Sequence, residues 1–388
     1  MDLLNSKFVY SERRLNWIDY DKGISIILVG YAHCFFTLKG YGPNIEAYPI
    51  INDLDVFLYG FRMPLFFIIS GMFLAKSLQK KSLSGYISAR ADTILYPLFI
   101  WGIFEISLKI INARFNPSIA HEGASSMDYL YLIINPRVTG HFWYLNTLFC
   151  IGVIYAILKS ILKWSANFQI VLGLALYAFS SYIHINKLNY GVITDICEYY
   201  FFFALGDLIS DIVPSGKNIK RSTLWLMFVP LVIAFFVVQY FCWDINIRKS
   251  LDGISYVEHR LPHLYLAQVL VGCAFSVILS FLLQEYKAFK FLRIIGYHSL
   301  YVYAMQIIAM TFARIIFYKI CKISYVPVLF VLVWASGVIL PIVFYNFCLR
   351  FNLWRLFTFK KPVRQVEYLQ NNNIFSFKTS DNLSSADK

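Results

Sequence analysis

The chain has 388 residues, of which 59% are hydrophobic and only 15% charged, and its mean hydropathy is +0.58; a soluble globular chain carries about 25% charged residues. A hydrated surface cannot be built from that composition, which excludes a water-soluble domain. The net charge of +13 raises nucleic acid as a partner, but Lys and Arg fall in short clusters between apolar runs and no nucleic-acid-reading module is present, so membrane topology accounts for them better.

Ten runs have the length of about 20 apolar residues that crosses about 30 Å of hydrocarbon. They lie near residues 18–38, 56–76, 93–112, 142–162, 168–185, 190–211, 224–243, 263–284, 294–316 and 326–349. The fold class expected is therefore all-α, a polytopic integral membrane helical bundle of about ten transmembrane helices. The sixth run is the weakest, because Asp195, Glu198 and Asp207 interrupt it. The first follows a charged head and is rich in polar residues, so it reads as a retained helix rather than a cleaved signal.

Counting Lys and Arg on alternate sides gives 23 on the side of both termini and nine on the other. The positive-inside rule then sets both termini in the cytoplasm. Residues 1–17 form a cytoplasmic head, 18–350 the membrane domain and 351–388 a cytoplasmic, largely disordered tail, whose polar end carries Asn371, Asn372 and Asn373. The seven Cys are scattered without a CxxC pair, so no metal site is expected. No internal repeat is evident, which counts against an inverted-repeat transporter.

Ionisable groups inside the hydrocarbon cost several kcal/mol and mark candidate chemistry. On the first helix Lys22 and His33 are eleven residues apart, about 20° beyond three full turns, so both project from one face with about 16 Å between them along the axis. Asp19 lies one turn below Lys22 and is placed to pair with it. Arg62 on the second helix, Glu105 on the third and Gln306 on the ninth reach the depth of His33. A lone imidazole is commonly a packing residue, and Arg62 with Glu105 also reads as a structural ion pair. As a set around a His, these residues read as a site.

Several ordered blocks then carry a family resemblance. They are Arg14-Leu-Asn-Trp17-Ile-Asp19-Tyr-Asp-Lys22-Gly23 leading to Gly30-Tyr-Ala-His33; Phe61-Arg62-Met63-Pro64-Leu65-Phe66-Phe67 with Ser70-Gly71; Arg90 with Tyr96-Pro97; His141-Phe142-Trp143-Tyr144-Leu145; Tyr200 to Gly206; and Ile295-Gly296-Tyr297-His298-Ser299-Leu300-Tyr301-Val302-Tyr303. The chain resembles the bacterial membrane O-acyltransferases of acyltransferase family three, especially the fucose 4-O-acetylase-like branch. It departs from the family's pattern at Arg62, where His is frequent, at Thr93, where a second Arg is frequent, and at Gln306, near which the family often has a His.

The resemblance implies a protein of the bacterial inner membrane. Such a protein moves an acyl group, usually acetyl, from cytosolic acyl-CoA to a hydroxyl of an envelope glycan or lipid-linked sugar, with acetyl-CoA or another acyl-CoA as co-substrate and no permanently bound cofactor. Its partners are the acyl-CoA, the saccharide acceptor and membrane lipids, without nucleic acid. His33 is the implied catalytic residue, as general base or acyl carrier, and Arg62 and Glu105 join it as catalytic candidates. Arg14, Lys22 and Arg90 would hold coenzyme A phosphates, Asp19 would orient Lys22, and His141, Trp143, Asn146 and Gln306 are substrate-side candidates. The alternative from another class is a transporter or flippase for an envelope glycan or anionic substrate, which would show internal repeats and Gly/Pro-broken helix pairs.

Overall fold

A computed structural model describes residues 4–11, 15–115, 125–211, 213, 219–248, 257–363 and 365. Among them there is no strand, and the ten expected helices are all present. They are α1 (Asn16–Tyr41), α2 (Pro49–Lys80), α3 (Leu83–Arg114), α4 (Trp143–Ser160), α5 (Ala166–Ile185), α6 (Val192–Ile209), α7 (Arg221–Arg248), α8 (Pro262–Tyr286), α9 (Ser299–Ile320) and α10 (Val326–Arg350). Nine of these, all but α6, are long and apolar enough to cross a membrane. In α6 the acids Asp195, Glu198 and Asp207 lower the hydropathy, yet all three are buried and the helix packs between α2, α4 and α5. The protein is a multi-pass α-helical membrane bundle.

Two of these helices are interrupted where proline dictates. Pro64 has no N–H to donate and its ring collides with the carbonyl four residues earlier, and α2 is broken at residues 58–61, between the segments Pro49–Phe57 and Arg62–Met72. In α3, Pro97 follows a π-helical turn over Ala91–Leu95, a wider turn that absorbs the missing bond. The ends of α2 and α3 also run several residues past the apolar stretches read from sequence, because polar residues such as Lys76 and Arg90 continue the helices beyond the hydrocarbon.

α1 sits at the centre, against α2, α8, α9, α10 and the short helix Phe291–Tyr297. Its approach to that short helix is backbone to backbone. A Cβ on Gly23 would lie 2.2 Å from the Leu292 carbonyl oxygen, and one on Gly296 1.8 Å from that of Asp19. Small residues of this kind are how membrane helices pack without a hydrophobic driving force. α7 leans on α8 and is the least buried of the nine apolar helices, as expected of a helix facing lipid.

The first part of the expected tail docks on this bundle. Phe357 is fully buried among Trp101, Tyr301 and Tyr345, with ring centroids 5.6, 5.4 and 4.8 Å away. Asp92, inside the π turn, accepts the backbone N–H groups of Phe359 at 2.6 Å and Lys360 at 3.2 Å. Residues 366–388, Asn371 to Asn373 included, lie outside the described residues.

Candidate active site

Four side chains from four parts of the chain meet at the depth of His33. Gly140 adopts φ +125°, a conformation that L side chains rarely take, and so turns the chain sharply into α4 and carries the next residue, His141, inward. The His141 ring stands edge-on to His33 with centroids 5.4 Å apart. Tyr303, one turn into α9, lies 6.3 Å from the His33 ring and 5.2 Å from the His141 ring, and its hydroxyl donates to the His141 backbone carbonyl. Glu105 of α3 completes the group, with Oε2 3.8 Å from His141 Nδ1. His141 and Glu105 are buried, His33 is half-buried, and His33 Nδ1 and both His141 ring nitrogens have no hydrogen-bond partner among the described residues.

Below this group lies a cavity of about 170 Å³ lined by Lys22, Ser70, Arg90, Thr93, Tyr144 and Tyr303 among others. It brings together two of the three basic residues singled out from sequence, Lys22 and Arg90. Arg90 donates to the Tyr86 hydroxyl at 3.1 Å, which fixes its guanidinium at the wall. Tyr303, whose ring centroid lies 6.3 Å from that of His33, belongs to the same lining. The third, Arg14, lies outside the described residues.

Arg62 departs from the pairing read from sequence. Its guanidinium does not meet Glu105; Nη1 lies 2.7 Å from Asp55 Oδ1 and also donates to the Leu28 carbonyl at 3.0 Å. The break in α2 puts Arg62 at the start of a new segment and turns it back on the one before. Glu105 instead has Lys109 Nζ 2.9 Å from Oε1, one turn along its own helix. Arg62 thus clamps α2 to α1 about one and a half turns below His33.

The remaining candidates divide. Gln306 is fully buried, and its Oε1 would be 3.4 Å from a Cβ on Gly30, one turn below His33. Neither polar atom of its amide is hydrogen-bonded among the described residues. Asp19 is fully buried, with its backbone against Gly296. Asn146 does not reach the imidazoles: its Nδ2 donates to the Leu132 and Ile133 carbonyls at 2.9 Å each, closing the C-terminal end of the helix Asp128–Ile134. Trp143 faces a second polar cluster, with the Arg137 guanidinium 4.1 Å over its ring.

That second cluster was not singled out from sequence. Arg137 is paired with Asp195 and lies 3.7 Å from Glu198, which is also 3.2 Å from His184. Glu258, next to it in the fold, accepts from the Tyr59 hydroxyl at 2.5 Å. Its signal was present in the acids that interrupt the sixth apolar run, since buried charges are retained only when partnered. Asp55 was readable too: seven residues before Arg62 it falls within about 20° of the same helix face. Among the described residues no three His, Cys, Asp or Glu side chains gather closely enough to hold a metal ion.

The chain is 25% identical over 228 residues to the nodulation protein NolL of Mesorhizobium japonicum, a match that takes in 56% of this chain and 54% of that protein. The chain thus spans about half the length of the curated relative it matches. No solved structure matches. The acyltransferase domain of family three matches residues 15–346, from the start of α1 almost to the end of α10 and across His33, His141 and the cavity beneath them, and the chain belongs to that family of membrane acyltransferases.

Proposed function

We propose that this acyltransferase takes an acyl group, acetyl in the first instance, from cytosolic acyl-CoA at the Lys22 and Arg90 end of the cavity and passes it to a hydroxyl of an envelope glycan or lipid-linked sugar on the other face of the bacterial inner membrane. The observation that carries this reading is the cavity itself, which runs from two cations to Tyr303, the tyrosine against His33. At about 170 Å³ it is below the usual size of a small-molecule pocket. It suits the thin acyl-bearing arm of coenzyme A, with the nucleotide left outside. Lys22 and Arg90 then face the phosphates, where charge-assisted bonds are strongest. The 23-to-nine distribution of Lys and Arg supports a cytosolic donor side.

In the reaction the hydroxyl oxygen bonds to the acyl carbon, the carbon–sulfur bond breaks, and the hydroxyl proton ends on the released thiol. His33 serves this exchange as general base or as the group that carries the acyl between donor and acceptor. Arg62 holds α1 and α2 in register beneath it, Gln306 lines the same face of α1, and Asp19 steadies the Lys22 end. The test is mass spectrometry of envelope glycans from cells with and without the protein. Loss of an acetyl or succinyl substituent is the result expected, and an unchanged glycan profile would overturn the reading.

A further inference from the structure

Acyl transfer by His33 alone leaves Glu105 and His141 without a task. An imidazole used for packing is hydrogen-bonded, because a buried polar atom left unpaired costs about 1–3 kcal/mol. His141 has two such atoms, is 4% exposed, and points its ring at His33. Its surroundings are built to hold it there. Tyr303 fixes its backbone carbonyl, and Lys109 donates to the Thr139 carbonyl at 3.0 Å while holding one oxygen of Glu105, which leaves the other oxygen toward His141 Nδ1.

Two imidazoles 5.4 Å apart disfavour being protonated together, so they suit different tasks. The carboxylate decides which is which. Glu105, whose Oε2 lies 3.8 Å from His141 Nδ1, is placed to accept the Nδ1–H of an imidazolium once the two close to hydrogen-bond distance, the part the acid plays in a Ser-His-Asp triad. Among the described residues His33 has no carboxylate at ion-pair distance, so it stays neutral, the state in which an imidazole is a nucleophile.

Resting on the acyl-transfer reading, we propose that the two imidazoles divide the reaction, His33 carrying the acyl group and the His141–Glu105 pair acting as base toward the acceptor. A His33 nitrogen bonds to the acyl carbon, the carbon–sulfur bond breaks, and the thiolate leaves with the proton released from the acylated ring. His141 Nε2 then takes the proton of the acceptor hydroxyl while Glu105 holds Nδ1–H. The hydroxyl oxygen bonds to the acyl carbon, the carbon–nitrogen bond to His33 breaks with its electron pair returning to the ring, and the proton on His141 restores His33.

The experiment uses membrane vesicles of the native cell, whose own glycans are the acceptor, with radiolabelled acetyl-CoA and succinyl-CoA in parallel. Release of coenzyme A and label in the extracted glycan are followed separately, with the amount of each variant in the membrane measured. His141→Asn is expected to give a burst of one coenzyme A per protein, a labelled His33 peptide by mass spectrometry, and glycan labelling reduced about 10²–10⁴-fold. His33→Ala gives neither burst nor labelling. His141 is faced by His33 from α1, Glu105 and Lys109 from α3 and Tyr303 from α9; removing the Glu105 charge weakens its hold on a proton. Glu105→Gln therefore slows labelling, moves its acid limb to lower pH and leaves the burst intact. Wild-type labelling in His141→Asn, a missing burst in an abundant His141→Asn, or an unmoved acid limb in Glu105→Gln would each overturn the division of labour. Vesicles of the wild type that label no glycan from either donor would instead overturn the acyl-transfer reading beneath it.

Discussion

Arg62 is bound to Asp55, seven residues before it across the break in α2, with 2.7 Å between Nη1 and Oδ1 and both side chains almost wholly buried. Breaking a buried pair by removing one partner leaves an uncompensated charge and costs about 3–5 kcal/mol, whereas replacing both by apolar residues is often neutral. Arg62→Ala and Asp55→Ala should therefore each lower thermal stability in detergent sharply. The double variant Asp55→Leu with Arg62→Met should recover most of that loss. Equal melting temperatures for wild type and the single variants would show that the pair contributes little.

His33→Ala should abolish acyl transfer while leaving the protein inserted and abundant. Loss of a positioned acid–base group typically costs about 10²–10⁴-fold in rate, and among the described residues His33 Nδ1 has no hydrogen-bond partner whose loss would unfold the bundle. Glycan acylation near the wild-type level, in membranes holding normal amounts of the variant, would return His33 to a packing role.

The helices were legible because each needs its own apolar stretch, and that information is local. Even α6, whose acids made it the weakest of the ten, forms as a helix once Tyr155 and Lys159 satisfy Asp207 and Arg137 satisfies Asp195. The site was legible in depth but not in partnership. Counting residues along each helix brought His33 and Gln306 to one depth, and the ordered blocks brought Lys22 and Arg90 to one cavity. Depth says nothing about rotation, however, so Arg62 and Glu105 at one level were read as a pair although their nearer partners, Asp55 and Lys109, lay on their own helices. The role of Asn146 as donor to helix-end carbonyls depended on the loop before α4 doubling back, which no periodicity encodes.

The contact between α1 and the helix Phe291–Tyr297 predicts a severe effect from one methyl group. A Cβ on Gly296 would stand 1.8 Å from the Asp19 backbone oxygen, and backbone on both sides leaves nothing flexible to move. Gly296→Ala should therefore push the two helices apart beside Lys22 and lower the amount of folded protein, as seen by size-exclusion profile in detergent. Gly40→Ala, where a Cβ meets nothing within 4 Å, is the matched control and should be silent. Indistinguishable profiles for the two variants would argue against so close an approach.

Orientation follows from the excess of Lys and Arg on the side of both termini. Reporter fusions after residue 365 should read cytoplasmic, and fusions in the 115–140 loop should read outside. A cytosolic signal from that loop would invert the donor and acceptor faces and place Lys22 and Arg90 away from coenzyme A.

The two ends of the α1 stripe should fail in different ways. Lys22 and Arg90 line the far end of the cavity, while Tyr303 stands between that cavity and His33. With about 16 Å of helix between Lys22 and His33, the lysine is too far away to touch the acyl carbon. Replacing either Lys22 or Arg90 by Ala should weaken donor binding by about 1.5–3 kcal/mol, the range for a bond to a charged group, which is about 10- to 150-fold in the donor concentration needed. Saturating acyl-CoA should then restore much of the rate, since the groups at the reacting atoms are untouched. Glu105→Gln and His141→Asn should show the opposite pattern, a lower maximal rate that no donor concentration repairs. The measurement is a donor titration of each variant in native membranes, scored by label in the glycan. A Lys22→Ala variant with unchanged donor requirement and a reduced maximum would mean that the cavity beneath Tyr303 is not where coenzyme A enters.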